Sequence, residues 1–388
     1  MECEKFNIKV EAIACDGSTE SVPPLMSRSS RGSYQTLSPG FQTDGHCVVC
    51  FEPGAMSRMG GYCWSELSGT LRKEPGDNRP TIQFGTVVRR LTPRECERLQ
   101  GFPDDWTLVT HKGSESSSGA RYGTLGNSMA VPCMRQIGSK VDEKGTKNMK
   151  YLSLCSGIEA ASVAWEGLGW KPIAFSEIEP FPCAVLAHRY PHVPNLGDMN
   201  NYEQWQIERP DLIVGGTPCQ AFSVAGLRQG LQDKRGGLTL TFVRICDKYN
   251  PDYIVWENVP GVLSSKDNAF GCFLGALAGE NSELVPPGKK WKDAGCVYGP
   301  KRSIAWRCLD AQYFGLAQRR KRVFVISCPA GHRDPAQILF EFSCECASKA
   351  PSDNGKVCGS CGKHISRLDA PPVRAGTGAA SESDGDQE

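Results

Sequence analysis

The sequence has no long apolar stretch. None of its 388 residues form a run of about 18 apolar side chains, which is the length that a membrane-spanning helix needs. The segment from Met1 to Val10 contains four charged side chains and no apolar core, so it lacks the pattern of a secretory signal. The net charge is only +1, which by itself indicates no charged partner. These features predict a cytoplasmic protein that neither spans a membrane nor is secreted.

Cysteine, by contrast, is abundant, with 19 residues. Thiols stay reduced in the cytoplasm, so clustered cysteines there indicate metal binding or catalysis rather than disulfides. Most of the cysteines stand singly in apolar runs, and we interpret these as small buried hydrophobic side chains. Examples are Cys155, Cys183, Cys246 and Cys328.

Four cysteines near the C-terminus have a spacing that could close a tetrahedral zinc site. These residues are Cys344, Cys346, Cys358 and Cys361. The first pair has the less typical spacing, and other residues could substitute for it. The substitutes are His332, His364, Cys47 and Cys50. Reduced thiols without a metal are the alternative.

Strands and helices alternate from Tyr151 onward. Short apolar, β-branched runs predict the strands, and longer stretches between them predict the helices. The predicted strands are Tyr151–Cys155, Pro172–Phe175, Leu212–Val214, Tyr253–Trp256 and Val323–Ile326, and the predicted helices are Ile158–Leu168 and Pro180–Arg189. This order predicts an α/β domain with a mostly parallel sheet.

The first part of the chain has a different pattern. Residues 1–86 are rich in glycine, serine and proline, which predicts short strands and loops. Thr92, Pro93 and Glu95 then predict the start of a helix, because they have the types and spacing of a capping box with proline at the first helical position. Leu99 would lie on the apolar face of this helix.

A cysteine follows the predicted strand Leu212–Val214 after a Gly-Gly-Thr-Pro turn. Ligands bind at this carboxyl edge of an α/β sheet, so Cys219 could act as a nucleophile if a nearby positive charge favours its thiolate. A buried structural cysteine is the alternative. Glu257 follows the next strand, where partial desolvation would raise its pKa and suit it to share a proton with a ring nitrogen.

Further polar residues adjoin other predicted strands. Alternation along a strand places Arg320 and Arg322 on one face, where they could reach a base carbonyl and a phosphate. The small-residue turn after Tyr151–Cys155 could bring main-chain N–H groups to an anionic ligand. Glu177 follows about 20 residues later, where an acid commonly binds ribose hydroxyl groups.

Eight segments of the chain match motifs of one enzyme family. The segments are 218–220 (Pro-Cys-Gln), 257–259 (Glu-Asn-Val), 318–322 (Gln-x-Arg-x-Arg), 155–161, 177 and 197–199 (cofactor motifs), 92–103 (Thr-Pro-Arg-Glu to Gly-Phe-Pro) and 126–128 (Gly-Asn-Ser). This set resembles the cytosine-5 DNA methyltransferase family. The cofactor turn departs from the family pattern, because it lacks the usual aromatic residue and has fewer glycines.

The resemblance implies a fold, a cofactor and a reaction. The fold would be a Rossmann-like, S-adenosylmethionine-binding sheet with a smaller, irregular, β-rich target recognition domain. A monomer would transfer the methyl group to carbon 5 of a flipped cytosine in double-stranded DNA. The implied catalytic residues are Cys219, Glu257, Arg320 and Arg322. The implied cofactor-binding residues are Cys155, Ser156, Gly157, Ile158, Glu177, Ile178, Asp198, Met199, Pro218, Asn127 and Ser128.

The order of the motifs differs from the usual family order. The Gly-Asn-Ser and Thr-Pro-Arg-Glu motifs normally end the chain, whereas here they precede the cofactor strand, which implies a circular permutation. Residues 1–86 and 329–388, which end in a disordered acidic tail, would together form the target recognition domain. Residues 87–138 would carry the motifs moved to the front, 139–150 a polar linker, and 151–328 the catalytic domain.

A basic segment lies between Pro286 and Phe324, with ten Lys or Arg residues and two acidic residues. This local excess suits a phosphate backbone, and a solvated surface loop is the alternative. Residues 280–305 resemble an insertion, which would provide extra DNA contacts or form a solvated loop.

Three other functions compete with the first. An RNA cytosine-5 methyltransferase would use the same residues on a different substrate. A catalytically silent DNA-binding module belongs to a different class, and no residue supports it directly. Redox chemistry is disfavoured because Cys219 has no Cys-x-x-Cys partner.

Overall fold

The structure is a computed structural model. It describes residues 49–51, 67–72, 80–84, 87–143, 148–218 and 237–340, and the backbone of strands at 11–13, 19–21 and 373–374.

The strands are short before residue 150 and longer after it. In chain order they are β1 (Glu11–Ile13), β2 (Thr19–Ser21), β3 (Val49–Phe51), β4 (Thr81–Phe84), β5 (Val87–Arg90), β6 (Thr110–His111), β7 (Ser114–Glu115), β8 (Lys150–Leu154), β9 (Lys171–Ser176), β10 (Leu212–Gly215), β11 (Tyr253–Asn258), β12 (Ala294–Tyr298), β13 (Arg302–Asp310), β14 (Lys321–Pro329) and β15 (Val373–Arg374).

The helices precede, connect and follow the longer strands. They are α1 (Pro93–Gln100), α2 (Ser118–Asn127), α3 (Val131–Asp142), α4 (Ala160–Trp165), α5 (Pro180–Arg189), α6 (Leu238–Tyr249), α7 (Ala269–Ala278) and α8 (Ala336–Leu339). Short 3₁₀ turns lie at Glu166–Leu168, Met199–Gln204, Pro260–Ser264 and Ala311–Phe314.

A mixed sheet with the strand order β15-β12-β13-β14-β11-β10-β8-β9 forms the centre of the protein. The strands β11, β10, β8 and β9 are parallel, and so is the short pair β12–β15. The three pairs β11–β14, β14–β13 and β13–β12 are antiparallel. This topology confirms the predicted α/β class with a Rossmann-like parallel half. The antiparallel half was not predicted from the sequence.

The parallel strands are buried on both faces, as their continuous apolar sequences predict. Along β10, Leu212 and Val214 pack into one apolar cluster and Ile213 packs into the other. Helices α3, α4 and α5 contribute to the first cluster, whereas α6 and α7 contribute to the second. Side chains therefore alternate between two helix-covered faces of one sheet.

The position of β8 determines where a ligand can bind. Its neighbours β9 and β10 lie on opposite sides of it, so the chain crosses over β8 between them. In open α/β sheets, such a reversal leaves a crevice outside the carboxyl ends of the strands. The turns that follow these strands carry several of the predicted site residues.

Helix α1 begins as predicted. Thr92 is the N-cap, Pro93 follows it, and the side chains of Thr92 and Glu95 form a reciprocal capping box. Leu99 packs against the first apolar cluster. Local sequence was sufficient here because both partners of the cap lie within four residues of each other.

The predicted linker at residues 139–150 is wrong at both ends. Helix α3 continues through Asp142, with Val141 fully buried, and β8 already begins at Lys150. The polar composition concealed these boundaries, because Val141 and Met149 make buried contacts that only the folded chain supplies.

The basic segment is not one solvated loop. Residues 294–298 of the suspected insertion form one strand of the central sheet, and its last residues, 302–305, begin the strand that continues to residue 310. Arg302 is buried and bonds to Ser327 and Pro251, and Lys301 pairs with Asp247. Arg302 is therefore enclosed within the fold and does not belong to a DNA-binding surface.

The ten cysteines of the described residues are free thiols, of which seven are buried and three half-buried. Cys246 and Cys328 are buried as predicted, whereas Cys155 and Cys183 are half-buried. No helix within the described part of the chain is long and apolar enough to cross a membrane.

Candidate active site

A cavity of about 780 Å³ lies at the carboxyl ends of β8, β9, β10 and β11. Among the described residues, the structure brings every predicted site residue to the wall of this cavity except Ile158 and Arg320. Cys219 lies outside the described residues, directly after Pro218, which lines the cavity. One chamber therefore joins the predicted cofactor and base-binding residues.

The turn after β8 has an unusual backbone. Cys155, Gly157 and Glu159 all have positive φ angles, of 50°, 56° and 65°. This left-handed conformation favours glycine and costs other residues about 1 kcal/mol. The turn folds the chain under the cavity, and all three residues line its wall.

Ile158 does not line the cavity, which corrects its predicted role in binding the cofactor. Its side chain is buried in the first apolar cluster, and its carbonyl oxygen accepts a hydrogen bond from the indole of Trp106 at 2.9 Å. Arg189 in turn stacks on Trp106 and donates to its carbonyl oxygen. Ile158 therefore fixes the turn to the apolar core rather than facing the cavity.

Glu177 lies where the spacing predicted it, but it binds main chain in this structure. One carboxylate oxygen accepts the N–H of Gly157, and the other accepts the N–H groups of Ile178 and Glu179, each at 2.8 Å. Its own N–H donates to Asn195. The side chain thus holds the turns after β8 and β9 together at the cavity wall.

The remaining predicted cofactor residues form the rest of this wall. Ile178 exposes 65% of its surface there, which is unusual for an isoleucine, whereas Met199 is buried beside Cys155. Asp198 caps the 3₁₀ turn that follows it. Asn127 and Ser128 enter from the end of α2.

The turn that leads to Cys219 is held by buried hydrogen bonds. Asn258 donates to the carbonyl oxygen of Thr217, and the Thr217 hydroxyl bonds to Trp256 and Thr239. Thr217 and Asn258 had not been singled out in the sequence. The Glu-Asn-Val motif contained the signal for Asn258. Its partner Thr217, which follows β10, could not be inferred from the sequence because the two residues are far apart in the chain.

Space is limited at both glycines of this turn, and it requires a glycine at Gly215. A Cβ at Gly215 would lie 2.8 Å from the carbonyl oxygen of Leu154, and one at Gly216 would lie 3.3 Å from the carboxylate of Glu257. Neither glycine has a positive φ angle. Gly215 and Gly216 therefore permit a close approach of neighbouring segments rather than an unusual backbone angle.

Glu257 and Arg322 form an ion pair at the cavity, with 3.0 Å between Oε1 and Nε. The geometry of the pair does not meet the criteria of a hydrogen bond at Oε1. Glu257 is only 7% exposed. Burial raises the pKa of Glu257, and the positive charges of Arg322 and Arg320 lower it only in part. The prediction of a raised pKa is confirmed.

Arg320 does not face the cavity. It is 1% exposed, and its guanidinium donates to the carbonyl oxygens of Leu71, Gly126 and Ser128. Burial lowers the pKa of Arg320 to about 9. Contact of Arg320 with a base or phosphate is therefore excluded in this structure, and its guanidinium instead orients a loop. That loop is Gly126 to Ser128.

The charged side chains of the cavity wall are mainly acidic. Five carboxyl groups and one basic group line it. They are Glu159, Glu177, Glu179, Asp198, Glu257 and Arg322. Glu159 had not been predicted as a site residue, although the replacement of a family glycine in the cofactor turn was a signal for it. The wall favours a ligand that carries positive charge.

The structure leaves the zinc hypothesis untouched. Cys344, Cys346, Cys358 and Cys361 lie outside the described residues. Within the described ranges, no group of three or more His, Cys, Asp or Glu side chains is arranged to hold a metal ion.

The family of C-5 cytosine-specific DNA methylases matches residues 26–143 and 149–351, which is most of the chain. The chain belongs to this family. This match confirms the resemblance that the motifs indicated.

Several curated proteins are similar to parts of the chain. A DNA N-6-adenine-methyltransferase of Escherichia phage P1 is 54% identical over 50% of this chain and 30% of its own length. The orphan methyltransferase M.SPRI of Bacillus phage SPR is 32% identical over 46% and 37%. The Type II methyltransferase M.AquIA of a Picosynechococcus species is 33% identical over 46% and 71%. The chain thus spans only a minor part of the two phage relatives.

Proposed function

We propose that this chain is a DNA (cytosine-5-)-methyltransferase that uses S-adenosylmethionine. One observation carries the proposal: the buried pair of Glu257 and Arg322 shares a single cavity with the turn after β8 and with Pro218. Addition to a cytosine ring requires a nucleophile, an acid with a raised pKa and a cation beside that acid. Cys219, directly after Pro218, would be the nucleophile.

The residues of the cavity fit the cofactor. Its volume of about 780 Å³ lies within the usual range for ligand sites. The mainly acidic wall suits a molecule with two positive centres and one carboxylate, and exposed Ile178 offers apolar surface to a purine ring. When bound, S-adenosylmethionine supplies an electrophilic methyl group. The chain would hold it with the predicted cofactor residues that line the wall.

Carbon 5 of cytosine is a poor nucleophile, so the ring must first be activated. Addition of the Cys219 thiolate to carbon 6 would move electron density onto carbon 5 and ring nitrogen 3. Glu257 would give a proton or hydrogen bond to that nitrogen, and Arg322 would bind the ring carbonyl. Carbon 5 would then accept the methyl group. A solvent molecule would take the proton of carbon 5, the C–H electron pair would restore the double bond to carbon 6, and Cys219 would leave carbon 6 as a thiolate while Glu257 takes back the proton of nitrogen 3.

The name of the phage P1 relative raises adenine as a second candidate base. Methylation of an adenine amino group needs no cysteine nucleophile, because the nitrogen itself attacks the methyl group. The match leaves most of the phage P1 protein uncovered, so its adenine activity can belong to another part. The Pro-Cys turn together with Glu257 and Arg322 favours cytosine for this chain.

Methyl transfer from labelled S-adenosylmethionine to unmethylated double-stranded DNA tests the proposal. Nucleoside digestion separates 5-methylcytosine from N6-methyladenine, and base-resolution mapping gives the target site. We expect 5-methylcytosine at one short recurring sequence. Labelled N6-methyladenine alone would contradict the proposal. Preferred transfer to RNA in a competition assay would move the substrate to the RNA alternative.

The variant Cys219→Ser provides the mechanistic control. Serine is far less nucleophilic than a thiolate, so transfer should be lost while DNA binding, measured by gel shift, persists. Cys308→Ser is the matched control, because Cys308 is half-buried on β13 and does not line the cavity. Substantial turnover by Cys219→Ser would refute the covalent mechanism.

We also propose that the chain is circularly permuted. Arg320, near the end of the catalytic segment, bonds to Gly126 and Ser128 of the segment that precedes it. Trp165 of α4 donates to Met134 of α3, and a Cβ at Gly138 would collide with that indole. These contacts support a fold in which residues 87–142 complete the catalytic domain. Residues 1–86 and 329–388 would then form the target recognition domain.

A further inference from the structure

The segment 280–293, which connects α7 to β12, returns to the edge of the sheet that carries the cavity. Strand β14 is antiparallel to β11, β13 to β14, and β12 to β13. The start of β12 therefore lies at the same edge as the end of β11, where Asn258 and Val259 line the cavity. Along this return, Leu284 donates its N–H to the carbonyl oxygen of Gly271 in the first turn of α7.

A tryptophan fixes this segment to the fold. Trp291 is only 3% exposed, and its ring packs edge-on against two other aromatic rings of the core. Its main-chain N–H donates to Leu263 at 3.2 Å, and its indole donates to Asn268 at 2.9 Å. Leu263 belongs to the 3₁₀ turn that directly follows Val259 of the cavity wall. The anchor therefore lies about 8 Å from that wall, because four residues of a 3₁₀ turn rise by about that distance.

The residues on either side of this anchor are basic. Lys289 and Lys290 precede Trp291 and Lys292 follows it, and these three loop lysines are exposed. Lys266, which is also exposed, follows the 3₁₀ turn that holds the anchor. Within the part of the chain that the structure describes, none of these four lysines forms an ion pair. Their charges are therefore available to a partner in solution.

Two of the nearest acids already have partners in the fold. Glu283 accepts a hydrogen bond from Asn268 at 3.0 Å, and Asp267 accepts a main-chain N–H at 3.4 Å. Asp293 is exposed. The stretch 286–292 itself contains three lysines and no acid, so it carries a local charge of +3. Such a concentration of one charge favours an anionic partner.

We propose that the loop lysines, with Lys266 beside them, bind the phosphate backbone of double-stranded DNA next to the target base, an inference that rests on the proposed function. DNA whose base enters the cavity lies over this edge of the sheet. A strand advances about 3.4 Å per nucleotide along the duplex axis, so phosphates a few nucleotides from the flipped base come within reach of the loop. The fixed main chain at Trp291 lowers the entropic cost of holding these lysines against DNA.

Salt-dependent binding to DNA tests this inference without relying on turnover. Fluorescence anisotropy with a labelled duplex of mixed sequence, at several salt concentrations, gives the slope of log Kd against log salt concentration. The glutamine protein is the full-length chain with the changes Lys289→Gln, Lys290→Gln and Lys292→Gln. The arginine protein has arginine at the same three positions and keeps their charge. Calorimetric binding of S-adenosylhomocysteine checks that each protein is folded, because the loop lysines do not line the cavity.

A third protein is the matched control for net charge. It loses three lysines that lie toward the opposite edge of the sheet, where the parallel strands begin. Lys150 and Lys171 are the first residues of β8 and β9, and Lys140 is in the last turn of α3, which precedes β8. The changes are Lys140→Gln, Lys150→Gln and Lys171→Gln.

Each phosphate contact adds about 0.9 to the slope for duplex DNA, so the slope of the glutamine protein should be smaller by about 2 to 3. At about 0.1 M salt it should bind DNA at least about tenfold more weakly than the wild type. The arginine protein and the control protein should bind as the wild type does.

Three outcomes overturn the inference. An unchanged slope for the glutamine protein would mean that the loop lysines do not contact phosphates. Equal losses in the glutamine and control proteins would assign the effect to net charge alone. Equal losses in the glutamine and arginine proteins would assign it to the shape of the loop and not to its charge.

Failure of the proposed function gives a different result. In that case the wild type itself binds no duplex DNA at any salt concentration, and the inference fails with it. Each of the three outcomes above requires a wild type that binds DNA with a measurable salt dependence, so the two failures are distinguishable.

Discussion

Two buried carboxyl groups at this site, those of Glu257 and Glu159, differ in their surroundings. Desolvation penalises the charged form, so burial raises the pKa of both Glu257 and Glu159. The difference between them is the partner. Glu257 has Arg322 at 3.0 Å, whereas Glu159 has a buried oxygen with no partner among the described residues. The first suits a proton donor that is held in place, whereas the second caps helix α4 by accepting the N–H of Ser162.

The variant Glu257→Gln tests the role of the first acid. Glutamine can hydrogen-bond to a ring nitrogen but cannot transfer a proton to it, so kcat should fall by about 10²-fold or more. The KM for S-adenosylmethionine should change little. Steady-state kinetics measures both, with Glu115→Gln as the control, since Glu115 is exposed on β7. An unchanged kcat would remove Glu257 from the mechanism.

The second acid predicts how stability depends on pH. Folding raises the pKa of Glu159 from 4.5 to about 7, so between these values the folded chain keeps a proton that the unfolded chain releases. The free energy of unfolding should therefore fall as the pH rises through this window, by ~3 kcal/mol for this group. Glu159→Gln should lose this part of the slope.

Urea denaturation at several pH values measures this effect. Subtraction of the variant from the wild type isolates Glu159, because other titrating groups are common to both. Glu166→Gln should retain the wild-type slope, since its side chain is exposed. Identical slopes for wild type and Glu159→Gln would mean that folding does not shift the pKa of Glu159.

Between elements, β14 connects the catalytic sheet to the loop after α2. Two arginines at its start have different tasks: Arg320, directly before the strand, bonds to the carbonyl oxygens of Gly126 and Ser128, whereas Arg322, within the strand, pairs with Glu257. Two arginines of one motif therefore act on different parts of the molecule. One positions the loop that lines the cavity, and the other lines the cavity itself.

This division predicts opposite effects for two matched substitutions. Arg320→Leu would leave three buried carbonyl groups without a donor, so the free energy of unfolding should fall by ~3 kcal/mol or more. Arg322→Leu should lower kcat strongly and stability less. Urea denaturation and steady-state kinetics of both variants give the comparison. If Arg320→Leu is stable and inactive, the assignment of the two roles is reversed.

For the whole molecule, the proposed permutation predicts that the break in the chain can be moved. A rearranged chain would begin at Met149, continue to Glu388, join through a short flexible linker to Met1, and end at Asp142. Because α3 packs against α4 and Arg320 bonds to the loop after α2, these contacts should form without the direct connection. We expect cofactor binding within about threefold of the natural chain.

Two results would decide the matter. A rearranged chain that folds by circular dichroism and binds S-adenosylhomocysteine supports the permutation. A soluble, folded chain without cofactor binding would mean that the connection at residues 143–149 is itself needed to form the cavity. The same chain truncated after Ala130 is the control, because it lacks α3 and should not fold.

Local sequence determined the features whose causes are local. The capping box of α1 follows from Thr92 and Glu95, which are close neighbours in the chain. The start of α5 follows from Pro180 at its first position. Continuous apolar runs determined the buried parallel strands, because such strands need no alternation. The motifs themselves likewise allowed the family to be predicted from the residues alone.

Only the tertiary structure decided which side chains meet. Arg320 and Arg322 have the same chemistry and lie two residues apart, so nothing local predicts that one is enclosed by carbonyl groups and that the other pairs with Glu257. Burial and the missing partner of Glu159 depend on residues from other elements, and they determine its pKa. A sequence determines the types of groups and their local backbone, whereas distance and desolvation arise only when distant segments pack together.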